Sequence, residues 1–156
     1  MKQENNQTKN IIISFVAIIL VAVLGSIFAN LGMDWFNSLI KPSEWIPNII
    51  IPIIWTIIYL SFAVINFLWI KKTGIPKNVI ILMVINGLLN ILWCLTFFTL
   101  EELFIGNIVI IVNLVLAFTL IIKIHKTEKL YSYLLSIYPI WLAIATTLNL
   151  AVWILN

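Results

Sequence analysis

The sequence predicts an all-α membrane protein, a bundle of five transmembrane helices in one domain. Of its 156 residues, 63% are hydrophobic and only 10% are charged, whereas soluble domains carry about 25% charged residues. Five long runs contain no Asp, Glu, Lys, Arg or His. Polar and apolar residues do not alternate in these runs, as they would in the strands of a membrane β-barrel. Helices, in which each segment satisfies its own backbone hydrogen bonds, are therefore the expected elements.

The charge-free runs set the expected positions of the five helices. Each is long enough for the roughly 20 residues that a helix needs to cross a hydrocarbon core of about 30 Å. The first run exceeds the 7–15 apolar residues of a signal peptide, so we interpret it as a retained helix. The predicted helices cover residues 11–33, 46–70, 78–100, 103–124 and 130–155, and a longer loop covers 34–45. The other connections are short, which predicts antiparallel neighbours.

The lysines predict the orientation of the bundle in the membrane. One face takes Lys2, Lys9, Lys71, Lys72, Lys77, Lys123, Lys126 and Lys129. The opposite face takes only Lys41, together with Asp34, Glu44, Glu101 and Glu102. Cytoplasmic loops are enriched in Lys and Arg, so we expect a cytoplasmic N-terminus and a C-terminus outside. Because the lysines sit at the ends of apolar runs, they indicate topology, and no nucleic-acid partner is expected.

Three predicted helices place aromatic and amide side chains on one face. The second helix has Trp55, Tyr59, Phe62 and Asn66; the third has Asn86, Asn90, Trp93 and Phe97; the fifth has Tyr138, Trp141, Ala145 and Asn149. Spacings of three, four, seven and eleven residues align side chains along a helix. Lipid penalises an unsatisfied amide, so the Asn residues should point into the bundle.

These stripes have two interpretations. The amides could join helices while the aromatics fill the core. Alternatively, the stripes could line an apolar pocket with a few oriented polar groups, as small-molecule sites usually are. The ligand would then be flat, largely apolar and aromatic, because Trp and Tyr offer a stacking surface and one polar handle.

Catalytic and metal-binding groups are scarce in the predicted spans. The charge-free runs within them hold no carboxylate, Lys, Arg or His, which argues against a conventional hydrolase, a proton-driven exporter or an ion pump. We expect Cys94 to be a small buried side chain and His125 to be a solvated loop residue, so neither is expected to bind a metal. No catalytic residue is assigned, although Trp side chains could take part in photochemistry on a bound chromophore.

Several motifs of this chain resemble the TspO/MBR family, whose members include tryptophan-rich sensory proteins and peripheral-type benzodiazepine receptors. Gly25 lies in the first predicted helix, and Pro47, Trp55 and Tyr59 lie in the second. The longer motifs are Trp35-Phe36-x-x-Leu39-x-Lys41-Pro42, Leu89-Asn90-x-x-Trp93 followed by Phe97-Phe98, and Tyr138-x-x-Trp141-x-x-x-Ala145-x-x-Leu148-Asn149. They occur in the family's order over nearly the whole chain.

The chain departs from the family pattern at three places. The proline doublet is Ile46-Pro47, and the family's Pro-Tyr is Ile137-Tyr138 with a proline displaced to Pro139, which could move a kink in the fifth helix. A C-terminal cholesterol pattern is absent because no Lys or Arg follows Lys129.

The resemblance implies a five-helix bundle, often a homodimer, in a bacterial cell membrane. It implies a pocket for porphyrins, such as protoporphyrin IX or haem, and benzodiazepine-type ligands. No cofactor is obligatory. The ligand-binding candidates, with two aromatics added from the stripes, are Trp55, Tyr59, Phe62, Asn90, Trp93, Phe97, Tyr138, Trp141 and Ala145. The covering loop would contribute Trp35, Lys41, Pro42 and Pro47.

Three functions stay open at this point. The first is a porphyrin-binding membrane receptor or sensor tied to a tetrapyrrole or stress response. The second is light-dependent oxidative degradation of bound protoporphyrin, with Trp55 and Trp141 as the photochemical residues. The third is a lipid, sterol or metabolite carrier. The pairs Ala22-x-x-x-Ser26 and Gly25-x-x-x-Ala29 allow close helix approach, either within the bundle or across a dimer.

Overall fold

A computed structural model describes residues 2–42, 46–47 and 49–156. The predicted fold class is confirmed, because this part of the chain is helical without strands and contains five helices long and apolar enough to cross a membrane. The helices are α1 Lys2–Leu31, α2 Met33–Ser38, α3 Ile50–Lys72, α4 Lys77–Cys94, α5 Leu103–His125, α6 Lys129–Leu135 and α7 Ile137–Leu155. A π-helical turn, Leu95–Thr99, continues α4.

Two helices begin at residues other than the predicted ones, because the end of a charge-free run need not be the end of a helix. Helix α1 begins at Lys2 rather than at residue 11. Lys, Gln and Glu are good helix formers, so polar residues can continue a helix beyond the hydrocarbon core. Helix α3 begins at Ile50 rather than at residue 46, and residues 43–45 and 48 lie outside the described residues.

The predicted loop 34–45 is partly helical. Helix α2 follows α1 after an elbow at Gly32, whose carbonyl accepts a hydrogen bond from the Phe36 N–H at 2.9 Å. A Cβ atom at Gly32 would collide with the backbone carbonyl of Phe98. Thr99 reinforces this junction, because its hydroxyl donates to the Phe28 carbonyl at 2.7 Å. The elbow therefore packs directly on the π-helical turn and needs glycine.

The predicted fifth helix is divided into α6 and α7 by a turn at Ser136. Pro139 lies in the first turn of α7, where its ring nitrogen cannot donate to the Leu135 carbonyl. The Ile140 N–H bonds the Ser136 carbonyl at 3.3 Å, which restarts the helix. The displaced proline thus accompanies a break near the N-terminal end of this span.

The long helices form a closed ring in the order α1, α3, α7, α5, α4. Helix α1 contacts α3 and α4, helix α5 contacts α4 and α7, and α3 reaches both α6 and α7. Large apolar side chains such as Ile19, Leu60 and Leu88 face outward. This outer surface suits the lipid of a bilayer, where an apolar exterior carries no hydration penalty.

The two ends of the bundle differ. At the end that carries Lys71, Lys77 and Lys123, which we call the lysine-rich end, a second core cluster closes the interior; its buried members are Ile65, Trp69, Val79, Leu120, Ile124, Tyr131 and Leu135. An ion pair of 2.8 Å between Lys72 and Glu128 joins the end of α3 to the connection between α5 and α6. The opposite end, which we call the α2 end, contains the cavity described below.

Candidate functional site

A cavity of about 490 Å³ lies between the helices at the α2 end of the bundle. Its volume falls in the range of about 300–1,000 Å³ that is usual for small-molecule sites. Helices α1, α2, α3, α4 and α7 and the π-helical turn all contribute to the wall. The lining residues are Ala22, Gly25, Ser26, Ala29, Asn30, Met33, Phe36, Ile51, Pro52, Trp55, Thr56, Tyr59, Asn90, Trp93, Cys94, Phe98, Trp141, Ala145, Leu148 and Asn149.

Aromatic rings form one side of the cavity. Trp55 stacks on Tyr59 with ring centroids 5.6 Å apart, one turn away on α3. Trp55 also lies 6.3 Å from Trp93 of α4, with an angle of 31° between their planes. The faces of these rings offer flat surfaces on which a planar ligand could stack.

Small side chains of α1 form another part of the cavity wall. Ala22, Gly25, Ser26 and Ala29 follow the helical spacing of three and four residues along α1 and all line the cavity. At Gly25 a Cβ atom would lie 3.5 Å from Cys94 Sγ, an ordinary contact distance. The short side chains leave open the volume that larger residues would fill.

A network of buried amides around Tyr138 lies behind the wall. The Tyr138 hydroxyl accepts a hydrogen bond from Asn90 Nδ2 at 2.9 Å, and Asn113 Nδ2 donates to Asn90 Oδ1 at 3.1 Å. The hydroxyl proton has two acceptors in reach, Asn86 Oδ1 at 3.3 Å and Asn113 Oδ1 at 3.4 Å. The network joins α4, α5 and α7, so these amides do act between helices, while Asn90 also lines the cavity.

The indoles that line the cavity differ in their hydrogen bonding. With the Asn149 amide turned so that both of its ends find partners, its oxygen accepts from Trp93 Nε1 at 2.7 Å and its nitrogen donates to the Ala145 carbonyl at 3.3 Å. Trp141 is buried as well, but its Nε1 has no acceptor among the described residues. A buried donor without a partner costs about 1–3 kcal/mol, and Trp141 carries such a donor while its side chain lines the cavity.

The structure places the predicted ligand-binding residues in two groups. The wall contains Trp55, Tyr59, Asn90, Trp93, Trp141 and Ala145. Behind the wall lie Phe62, Phe97 and Tyr138: Phe62 packs edge-on against Tyr138 at 5.5 Å, and Phe97 is fully buried. The second group therefore packs behind the wall and does not line the cavity.

The predicted covering-loop residues do not line the cavity. Trp35 packs edge-on against Phe97 at 6.4 Å. Lys41 places its ammonium 4.7 Å from the centroid of Phe36, a lining residue. Pro42 is half-buried and Pro47 is exposed. Through their contacts with Phe97 and Phe36, Trp35 and Lys41 lie one layer out from the wall.

Sequence reasoning missed the contribution of α1 and of Phe36, Cys94 and Phe98 to the wall. The four-residue spacing of small residues in α1 was the available signal, since it marks a helix face with room beside it. Residue spacing does not predict the π-helical turn. This turn contains an extra residue and allows the adjacent Phe97 and Phe98 both to face inward. Their ring centroids are 5.0 Å apart.

Potential metal ligands are not grouped in the described residues, which contain no cluster of three or more His, Cys, Asp or Glu side chains. His125 lies at the lysine-rich end, where its Nδ1 is 2.9 Å from Ser132 Oγ. Because that hydroxyl donates to the Lys129 carbonyl at 2.7 Å, the His125 Nδ1 is the donor in this contact. Cys94 lines the cavity as a free thiol.

Comparison with known proteins gives a consistent result. The model of the TspO/MBR family matches residues 13–154. Protein CrtK of Rhodobacter capsulatus is 27% identical over 146 residues, or 91% of this chain and 89% of that protein. Tryptophan-rich protein TspO of Archaeoglobus fulgidus is 27% identical over 149 residues, covering 94% and 96%. The uncharacterized membrane protein YtaB of Bacillus subtilis is 32% identical over 124 residues, covering 76% and 78%.

Proposed function

Because this chain belongs to the TspO/MBR family of integral membrane proteins, we propose that it is a membrane receptor for porphyrins and benzodiazepine-type ligands, which bind in the cavity at the α2 end. The observation that carries this proposal is the Trp141 indole, a buried donor beside the cavity without an acceptor. A ligand that brings a carbonyl or ring nitrogen to this donor would remove the cost of leaving it unpaired.

The rest of the wall supports a flat and largely apolar ligand. Trp55 and Trp93 both line the cavity, with an angle of 31° between their rings, and stacking on such rings contributes about 0.5–1.5 kcal/mol for each aromatic pair. Small residues of α1 line the same cavity. The donors of Trp93 and Asn90 already have partners, so the Trp141 donor would orient the ligand.

Binding is tested by titrating the purified protein with protoporphyrin and with haem, following both tryptophan fluorescence and the porphyrin absorption band. Trp141→Phe should weaken binding by roughly 0.5–1.5 kcal/mol, the scale of one hydrogen bond. Trp69→Phe is the matched control, because Trp69 is buried in the other core cluster against Tyr131. No saturable binding by the wild type, or equal losses in the two variants, would contradict the proposal.

Light-dependent oxidative breakdown of bound porphyrin by dioxygen is a second candidate function. It is favoured by the presence of both Trp55 and Trp141 in one wall, where either indole could exchange an electron with an excited ligand. Affinity in the dark and bleaching rate in the light are compared for the wild type, Trp55→Phe, Trp141→Phe and the double variant. Loss of bleaching with retained affinity would support a photochemical role, and unchanged bleaching in the double variant would remove it.

The proposed biological setting is a bacterial cell membrane, with the receptor tied to a tetrapyrrole or stress response. We expect a homodimer, formed through a face other than the small residues of α1 that line the cavity. A monomer in both mild detergent and nanodiscs would count against this expectation. Uptake of a lipid or metabolite into proteoliposomes would favour the carrier alternative.

A further inference from the structure

The charged residues at the α2 end are almost all acidic. Asp34, Glu101 and Glu102 are exposed there, and Lys41 is the one basic residue that the described chain places at this end. An anionic ligand that approaches the cavity from this end meets repulsion from three carboxylates. Lys41 is the described side chain that can offset this repulsion through an ion pair of its own.

The Lys41 ammonium lies beside the ring of a cavity-lining residue. Its Nζ atom is 4.7 Å from the centroid of Phe36, and the Phe36 ring lines the cavity. The ammonium also donates to the Asn37 carbonyl at a long distance of 3.5 Å. An ammonium has three N–H donors, and Lys41 makes no ion pair among the described residues, so it retains donors for a further acceptor.

The backbone next to Lys41 is held in place by Asn156, the residue that follows α7. Asn156 Oδ1 accepts a hydrogen bond from the Ile40 N–H at 3.0 Å, and Asn156 Nδ2 donates to the Ile40 carbonyl, also at 3.0 Å. The same amide nitrogen donates to the Val152 carbonyl at 2.8 Å. Because Ile40 precedes Lys41 directly, this paired contact fixes where the flexible lysine side chain begins.

The interior of the cavity provides no countercharge. Its lining residues are apolar, aromatic or neutral polar, and an uncompensated carboxylate in such surroundings is strongly disfavoured. A ligand with an apolar body and an acid side group should therefore keep the acid outside this lining, where a cation can pair with it. We infer that Lys41 is the recognition site for a ligand carboxylate, so that the cavity prefers flat apolar acids to their neutral esters.

This inference deepens the proposed function and rests on it. The two are separated by a pair of probes with the same macrocycle: protoporphyrin, which carries two carboxylates, and its dimethyl ester, which carries none. Both are titrated against the protein in zwitterionic nanodiscs. Lys41→Met should lower affinity for the diacid about two- to fivefold, the scale of a partly exposed ion pair, and leave affinity for the diester unchanged.

Three further measurements sharpen the test. Lys41→Arg keeps the charge and should keep the preference for the diacid. Lys77→Met removes an exposed lysine at the opposite end of the bundle and should change neither affinity. The preference of the wild type for the diacid should also shrink at high ionic strength, because salt screens exposed charges.

The outcomes distinguish the two proposals. If Lys41→Met lowers both affinities equally, or neither, carboxylate recognition by Lys41 is overturned while porphyrin binding stands. If the wild type binds neither probe, the proposed function fails and this inference fails with it. A loss confined to the diacid, restored by Lys41→Arg, supports carboxylate recognition.

Discussion

At the scale of single residues, the tryptophans of this protein have different hydrogen-bonding states despite their common chemistry. Trp93 donates to Asn149, whereas Trp141 has no acceptor among the described residues. Both side chains are buried and both line the cavity. The difference separates an indole whose N–H is bonded within the wall from one whose N–H has no described partner.

This contrast predicts that the two Trp→Phe substitutions lower stability by different amounts in the absence of ligand. Trp93→Phe leaves the Asn149 oxygen buried without its donor, which should cost about 1–3 kcal/mol of unfolding free energy beyond the loss of ring volume. Trp141→Phe removes a donor that already lacks a partner, so it should cost clearly less. Thermal unfolding of the ligand-free variants in detergent measures both, and a larger loss for Trp141→Phe would disprove the assignment.

At the scale of elements, the elbow between α1 and α2 depends on a glycine, Gly32, which has no side chain. Gly32→Ala should destabilise the α2 end, because the added methyl group meets the rigid backbone carbonyl of Phe98 and the elbow must shift. Gly25→Ala is the matched control on α1, since its methyl group would lie at an ordinary distance from Cys94. Limited proteolysis near α2 and thermal unfolding compare the two; equal stability would contradict the role of Gly32.

Tyr138 determines how α7 is attached to its neighbours. Its hydroxyl bonds Asn90 of α4 and lies within reach of Asn113 of α5. Tyr138→Phe should therefore lower the unfolding free energy by roughly 0.6–1.7 kcal/mol, the range for hydrogen bonds between membrane helices. Tyr133→Phe is the control, because Tyr133 is largely exposed and its ring packs on His125. Wild-type stability of Tyr138→Phe would show that the network contributes little.

At the scale of the whole molecule, the lysines separate the two ends of the bundle and predict its orientation. Single cysteines at positions 71 and 101, introduced in a Cys94→Ser background, test this orientation in intact cells. Both positions are exposed, and replacing Lys71 leaves the Lys72–Glu128 ion pair intact. A membrane-impermeant thiol reagent should label position 101 from outside and spare position 71; the reverse pattern would invert the proposed topology.

The sequence by itself determined the fold class, the five spans and the helical faces that carry aromatic and amide side chains. These features are local: hydropathy over about 20 residues decides whether a segment can cross the membrane, and the helical repeat decides which residues share a face. The placement of Trp55, Asn90, Trp93 and Trp141 around one space is consistent with that reasoning, because each lies on a predicted inward face.

Only the tertiary structure decided which inward-facing residues reach the cavity. Phe97 and Tyr138 lie on the predicted faces, yet the π-helical turn and the amide network place them behind the wall. The small residues of α1 became lining residues because α1 packs beside α3 and α4. Helical periodicity specifies the direction of a side chain, but what that side chain meets depends on which helices are neighbours, and this is settled by packing between segments distant in the chain.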